Sequence, residues 1–143
     1  MKQLKRICYL AAAACFLLLA FSGCQDAEKT RISIELKTNP STGYDWSVET
    51  QGEAKFISSE TSGEVSLEGA PQMRKYIFEP MAQGDLSVTF TYKRDWKGGE
   101  TAYCVTYAFT VDQDLKATFV GKTPEALDGT LDGVEFPDPV ITQ

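Results

Sequence analysis

The sequence predicts an all-β protein, a β-sandwich of six to eight short antiparallel strands, and two observations carry that prediction. From Arg31 onward, apolar residues recur at every second position in one segment after another, the spacing of strands with one buried face. No stretch of ten residues between 31 and 120 has helical periodicity, and turn signals separate the strand-like segments, as in a sandwich.

The chain opens differently. Lys2, Lys5 and Arg6 precede an uncharged apolar run of 15 residues, Ile7 to Phe21. A membrane-spanning helix needs roughly 20 apolar residues, so this run fits the apolar region of a cleaved export signal instead. Phe21-Ser22-Gly23-Cys24 then resembles the bacterial lipobox, in which the cysteine takes a diacylglycerol and becomes the new N-terminus. The expectation is a signal peptide over 1–23, lipidation of Cys24, and a polar tether over 24–30. The protein would then be extracytoplasmic and membrane-anchored, on the bacterial cell envelope or surface. One acyl chain gives only reversible membrane binding, at about 0.8 kcal/mol per buried CH₂, whereas two or three give stable anchoring.

The strands follow in order. Ile32, Ile34 and Leu36 alternate with Ser33, Glu35 and Lys37; Tyr44, Trp46 and Val48 alternate with Asp45 and Ser47. Phe56-Ile57 and Val65-Leu67 are shorter candidates. Tyr76 and Phe78 share a face. Leu86, Val88, Phe90 and Tyr92 form one strong apolar row, and Val105, Tyr107, Phe109 and Val111 another. Ala117 to Val120 either extends the last strand or begins a short one. The sandwich is therefore placed at 31–120. Residues 121–143, rich in Asp, Glu, Gly and Pro, are expected to form an acidic tail, disordered or loosely docked.

Composition narrows the function. Loss of residues 1–23 leaves 120 of 143, enough for one domain. It also removes three basic and no acidic residues, moving the net charge from −6 to −9. Such a module is a poor partner for nucleic acid. With Cys8 and Cys15 in the signal and Cys24 given to lipid, Cys104 is alone, so no intramolecular disulfide forms. The sequence contains no histidine, which rules out Ser-His-Asp and Cys-His hydrolases. Cys104, between Tyr103 and Val105, reads as a packed strand residue. No enzyme activity, cofactor or metal is expected: the spacing of Asp112 and Asp114 matches no EF-hand loop.

Three loops carry more than connection requires. Asn39-Pro40-Ser41-Thr42-Gly43-Tyr44 joins the first two strands, its Asn-Pro step initiating a turn and Gly43 permitting a positive φ. Gly69-Ala70-Pro71-Gln72 precedes the strand of Tyr76 and Phe78. Arg94-Asp95-Trp96 ends the strongest apolar strand, an arginine and a tryptophan side by side as in binding hot spots. Each alone is compatible with an ordinary turn or a local Arg–Trp stack.

In order and spacing they resemble the chagasin family of cysteine-peptidase inhibitors, whose pattern is an Asn-Pro-Thr-Thr-Gly-Tyr-x-Trp loop, a Gly-x-Gly-Gly loop and an Arg-Pro-Trp loop on an immunoglobulin-like sandwich. Asn-Pro-Ser-Thr-Gly-Tyr-Asp-Trp at 39–46 matches the first, and Arg94 and Trp96 the third, with Asp95 in place of proline. In the middle loop Gly69 matches, while Pro71 and Gln72 replace the later glycines.

The resemblance spans roughly 31–111 and implies an immunoglobulin-like fold and a reversible inhibitor of papain-like cysteine peptidases, acting as a monomer. It implies that the three loops sit side by side and enter the peptidase cleft as a wedge. Thr42 and Gly43 would approach the catalytic cysteine, Arg94 and Trp96 would pack on the primed side, and Gly69 to Gln72 on the non-primed side. Tyr44 and Trp46 would support the first loop from below. The alternative is a non-inhibitory immunoglobulin-like surface module for adhesion or envelope assembly.

Overall fold

A computed structural model describes residues 28–62, 70–96, 98–128 and 130–143, and in these the period-two rows become two stacked antiparallel sheets. The strands are β1 (Arg31–Thr38), β2 (Tyr44–Gln51), β3 (Ala54–Ser62), β4 (Gln72–Pro80), β5 (Gly84–Arg94), β6 (Thr101–Val111), β7 (Ala117–Ala126) and β8 (Val140–Thr142). One sheet has the order β3-β4-β1-β8 and the other β2-β5-β6-β7. A single 3-10 turn, Pro40–Thr42, lies between β1 and β2. The signal peptide, Cys24, Val65-Leu67 and Gly69 lie outside the described residues.

The apolar rows meet between the sheets. Ile32, Ile34 and Leu36 of β1 and Phe78 of β4 oppose Val88, Phe90, Val105, Tyr107 and Phe109 of β5 and β6, all essentially excluded from water. Phe90 is the hub. Its ring meets Tyr76, Tyr107, Phe78 and Trp46 edge to face, with centroids 4.9, 6.0, 6.2 and 6.2 Å away. Such pairs add about 0.5–1.5 kcal/mol each beyond the burial of their area. At β3 the alternation breaks. A bulge between Phe56 and Ser58 leaves both Phe56 and Ile57 exposed at the sheet edge.

Two boundaries differ from the sequence expectation. The tether does not run to residue 30: Thr30 is buried, and Lys29 and Arg31 both pair with Glu79 of β4. The tail does not begin at 121. β7 continues to Ala126, pairing Glu125 with Cys104 and Pro124 with Val105. The chain then crosses to the other sheet, where β8 pairs with β1, Val140 opposite Ser33 and Ile141 opposite Ile32. The crossing segment is tied down by the Tyr107 hydroxyl, which donates to the Pro137 carbonyl at 3.0 Å, and by Lys122, which reaches Asp138 at 2.6 Å. Phe136 packs edge-on against Tyr103. Pro124 is tolerated because β7 is an edge strand with no ladder partner beyond it.

Register decides which loops gather. Thr38, the last residue of β1, pairs with Gln72, the first of β4. Tyr44, the first of β2, pairs with Arg94, the last of β5. Tyr92 pairs with Tyr103 near the start of β6. The segments 39–43, 70–71, 95–96 and 98–100 therefore emerge from one end of the sandwich, and Lys29, Arg31 and Glu79 lie at the other.

Candidate functional site

The first loop is a tight, internally bonded turn. Pro40 starts the 3-10 turn, where its fixed φ suits the position and its missing N–H costs nothing. The Asn39 carbonyl accepts from the Thr42 amide at 3.1 Å and from the Thr42 hydroxyl at 2.7 Å, and the Pro40 carbonyl accepts from Gly43 at 3.2 Å. The Asn39 side chain makes no hydrogen bond that caps the turn, and its Oδ1 accepts from the Ser41 hydroxyl at 2.6 Å. Gly43 then reverses the chain at φ +76°, a left-handed conformation that glycine adopts without strain.

Below this turn lies an aromatic footing. Tyr44 stacks on Tyr92 at 5.2 Å, and Tyr92 on Tyr103 at 5.2 Å. Trp46, buried beside them, donates its indole N–H to the Lys37 carbonyl at 3.0 Å, joining the two sheets under the loop. Tyr92 adds a second tie, its hydroxyl accepting from the Asn39 amide at 3.3 Å. Burial raises the pKa of the Tyr103 hydroxyl and, with Glu100 adding to it, that of Tyr44. Both stay neutral, Tyr44 as a stacking and hydrogen-bonding group and Tyr103 as a packing group.

The third loop stands against the first. Its neck is closed by Arg94 N–H to the Glu100 carbonyl at 3.0 Å and by Gly99 N–H to the Trp96 carbonyl at 2.8 Å. The Arg94 guanidinium lies between two rings, 4.8 Å from the centroid of Tyr44 and 5.1 Å from that of Trp96. Glu100 holds both neighbours, accepting from the Tyr44 hydroxyl at 3.2 Å and pairing with Arg94 at 3.4 Å. Trp96 remains 55% exposed. Its indole edge rests on the first loop so closely that a Cβ at Gly43 would sit 3.0 Å from Cζ3. Asp95 is exposed beside it.

Of the middle loop, Ala70 and exposed Pro71 lead into Gln72, one strand away from Thr38 and the first loop. Thus Asn39, Pro40, Ser41, Thr42, Gly43 and Tyr44 are brought together with Arg94, Asp95 and Trp96, and Ala70, Pro71 and Gln72 flank them. Sequence reasoning missed Glu100, which clamps Tyr44 and Arg94. An acidic residue opposite Arg94 across a short strand connection was the available signal. Cys104 lies mid-strand in β6, where burial pushes its thiol pKa up, the opposite of what a nucleophile needs. Among the described residues no group of His, Cys, Asp and Glu is placed to hold a metal ion.

Comparison with known proteins bears on the family of the chain. The model of the chagasin family peptidase inhibitor I42 matches residues 27–111. Amoebiasin-2 of Entamoeba histolytica is 34% identical over 88 residues, covering 56% of this chain and 69% of that protein. The crystal structure of the cysteine protease inhibitor EhICP2 from Entamoeba histolytica superposes with a TM-score of 0.51 at 26% identity, over 57% of this chain and 78% of the other. The match begins just before β1 and ends with β6, so it takes in all three loops. The chain belongs to the chagasin family of peptidase inhibitors.

Proposed function

We propose that this protein is a reversible inhibitor of papain-like cysteine peptidases, and that it enters the active-site cleft with the end of the sandwich formed by 39–44, 70–72 and 94–96. The observation that carries the proposal is the seating of Trp96 against Gly43: the two segments that best match the family pattern form one continuous, partly exposed ridge. The ridge is held by hydrogen bonds and aromatic stacking on a rigid sheet pair. Docking it therefore freezes few side chains, which favours affinity. Thr42 and Gly43 form its crest, presenting backbone and one small side chain to the catalytic thiolate in a turn that offers no extended scissile segment. Trp96 supplies apolar area on one flank and Ala70 to Gln72 lie on the other.

We propose further that 1–23 is an export signal and that acylated Cys24 anchors the monomeric domain to a membrane. Supporting this reading, Lys29 and Arg31 lie at the end of the sandwich opposite the ridge, so an anchored domain presents its loops outward.

The test is titration of papain with the 25–143 domain against a small fluorogenic substrate, beside a Thr42→Asp, Trp96→Ala variant. Tight, reversible inhibition by the parent and its loss in the folded variant is the expected result. A folded parent that inhibits no papain-like peptidase would overturn the proposal in favour of an adhesion or assembly module.

A further inference from the structure

Beside the ridge the molecule has a feature outside the family match. The strap that carries the chain from β7 to β8, described over 127–128 and 130–139, starts at the loop end, where the Leu127 and Asp128 amides both donate to the Ala102 carbonyl at 3.0 Å. It then passes along the open side of the sandwich. Between strap and ridge lies a cleft of about 330 Å³, walled by Trp46, Tyr92, Tyr103, Pro71 and Val134. Asn39 and Pro71 belong to both cleft and ridge. Thr38 also lines it, and its hydroxyl oxygen is buried with no hydrogen-bond partner among the described residues. The two lips differ in charge. Lys37 is on the lip from β1, whereas the strap brings Glu135 to the other. From Thr123 to Gln143 the sequence has no basic residue at all. Of the strap's four carboxylates, only Asp138 is in an ion pair among the described residues.

Resting on the inhibitor reading, we propose that the strap is a fourth contact element, and that the cleft receives a lysine or arginine side chain from the rim of the docked peptidase. Such a side chain is apolar along its stem and charged at its head. The stem lies on Tyr103, Pro71 and Val134, and the head reaches Glu135 and the strap carboxylates beyond. Because Asn39 and Pro71 are shared, a peptidase seated on the ridge already covers the mouth of the cleft. The acidic strap thus selects among papain-like enzymes for those with a basic rim, and it speeds their approach, since charges at an interface rim act mainly on the association rate.

The experiment measures association and inhibition constants for a panel of three papain-like peptidases, papain included, with the parent 25–143 domain, Glu135→Gln, Glu135→Lys and Trp96→Ala. For the enzyme the parent binds tightest, Glu135→Lys should slow association at least tenfold at low salt, with Glu135→Gln between. The differences should shrink above about 0.5 M salt, where exposed charges are screened within a few Å. Amide exchange over 132–136 should slow in the complex. Glu135 is exposed, and an unchanged melting temperature verifies that the variants fold. If Trp96→Ala weakens inhibition while both Glu135 variants match the parent and 132–136 exchange freely in the complex, the strap is not a contact and the three-loop reading stands alone. If the folded parent inhibits none of the three, both proposals fall.

Discussion

Gly43 is where backbone geometry and loop contact can be separated by mutation. In Gly43→Ala the residue keeps φ near +76° only at the cost of the left-handed conformation, roughly 1–2 kcal/mol for a residue with a Cβ. The new methyl also meets the Trp96 ring, 3.0 Å from Cζ3 and 3.4 Å from Cη2. An indole that is 55% exposed has room to yield by a few tenths of an ångström. The clash therefore appears mainly as displacement of Trp96 and adds only about 0.5–1 kcal/mol, the lower range of coupling between touching residues. Urea denaturation of the parent, Gly43→Ala, Trp96→Ala and the double variant closes the cycle. Gly43→Ala should cost about 1.5–3 kcal/mol in the parent and measurably less once Trp96 is alanine. Inhibition of papain should weaken in Gly43→Ala although its core is intact. An equal cost in both backgrounds, with inhibition unchanged, would refute the contact between the first and third loops.

Phe90→Ala removes the ring on which four others pack and should lower stability by about 3–5 kcal/mol in the same assay. The solvent-facing Val120→Ala should stay within about 0.5 kcal/mol of the parent. Glu79 gives the pH dependence. Its hydrogen bond from Arg31, with Lys29 assisting, holds its carboxyl below the usual range. Its stabilising contribution is therefore complete above about pH 4.3, the ordinary glutamate value, and is lost as pH falls through the lower folded-state value. Thermal melts between pH 6 and 3 should show a steeper loss in the parent than in Glu79→Gln, and equal slopes would remove Glu79 from the account.

The core was legible because alternation is a direct image of a half-buried strand. Every row read from the sequence in β1, β4, β5 and β6 has its apolar members inside. β8 was not legible, since three residues offer one inward side chain, Ile141, and no period. The second half of β7 was hidden for another reason. As an edge strand it exposes most of its side chains, and Lys122-Thr123-Pro124-Glu125 reads as a loop until β6 is there to pair with it. Of the site, the motif residues were visible but their mutual geometry was not. That Trp96 lies on Gly43 follows from the pairing of Tyr44 with Arg94, a register 50 residues apart in sequence. The cleft under the strap depends on the crossover between sheets, which no local pattern announces.

The central claim is that the loop end enters the active-site cleft. It is tested most directly by measuring binding of the 25–143 domain to two forms of papain, one free and one with its cleft filled by a bulky covalent active-site-directed inhibitor. The account predicts tight binding to the free enzyme and at least a hundredfold loss to the filled one. Equal affinity for both forms would place the contact outside the cleft and contradict it.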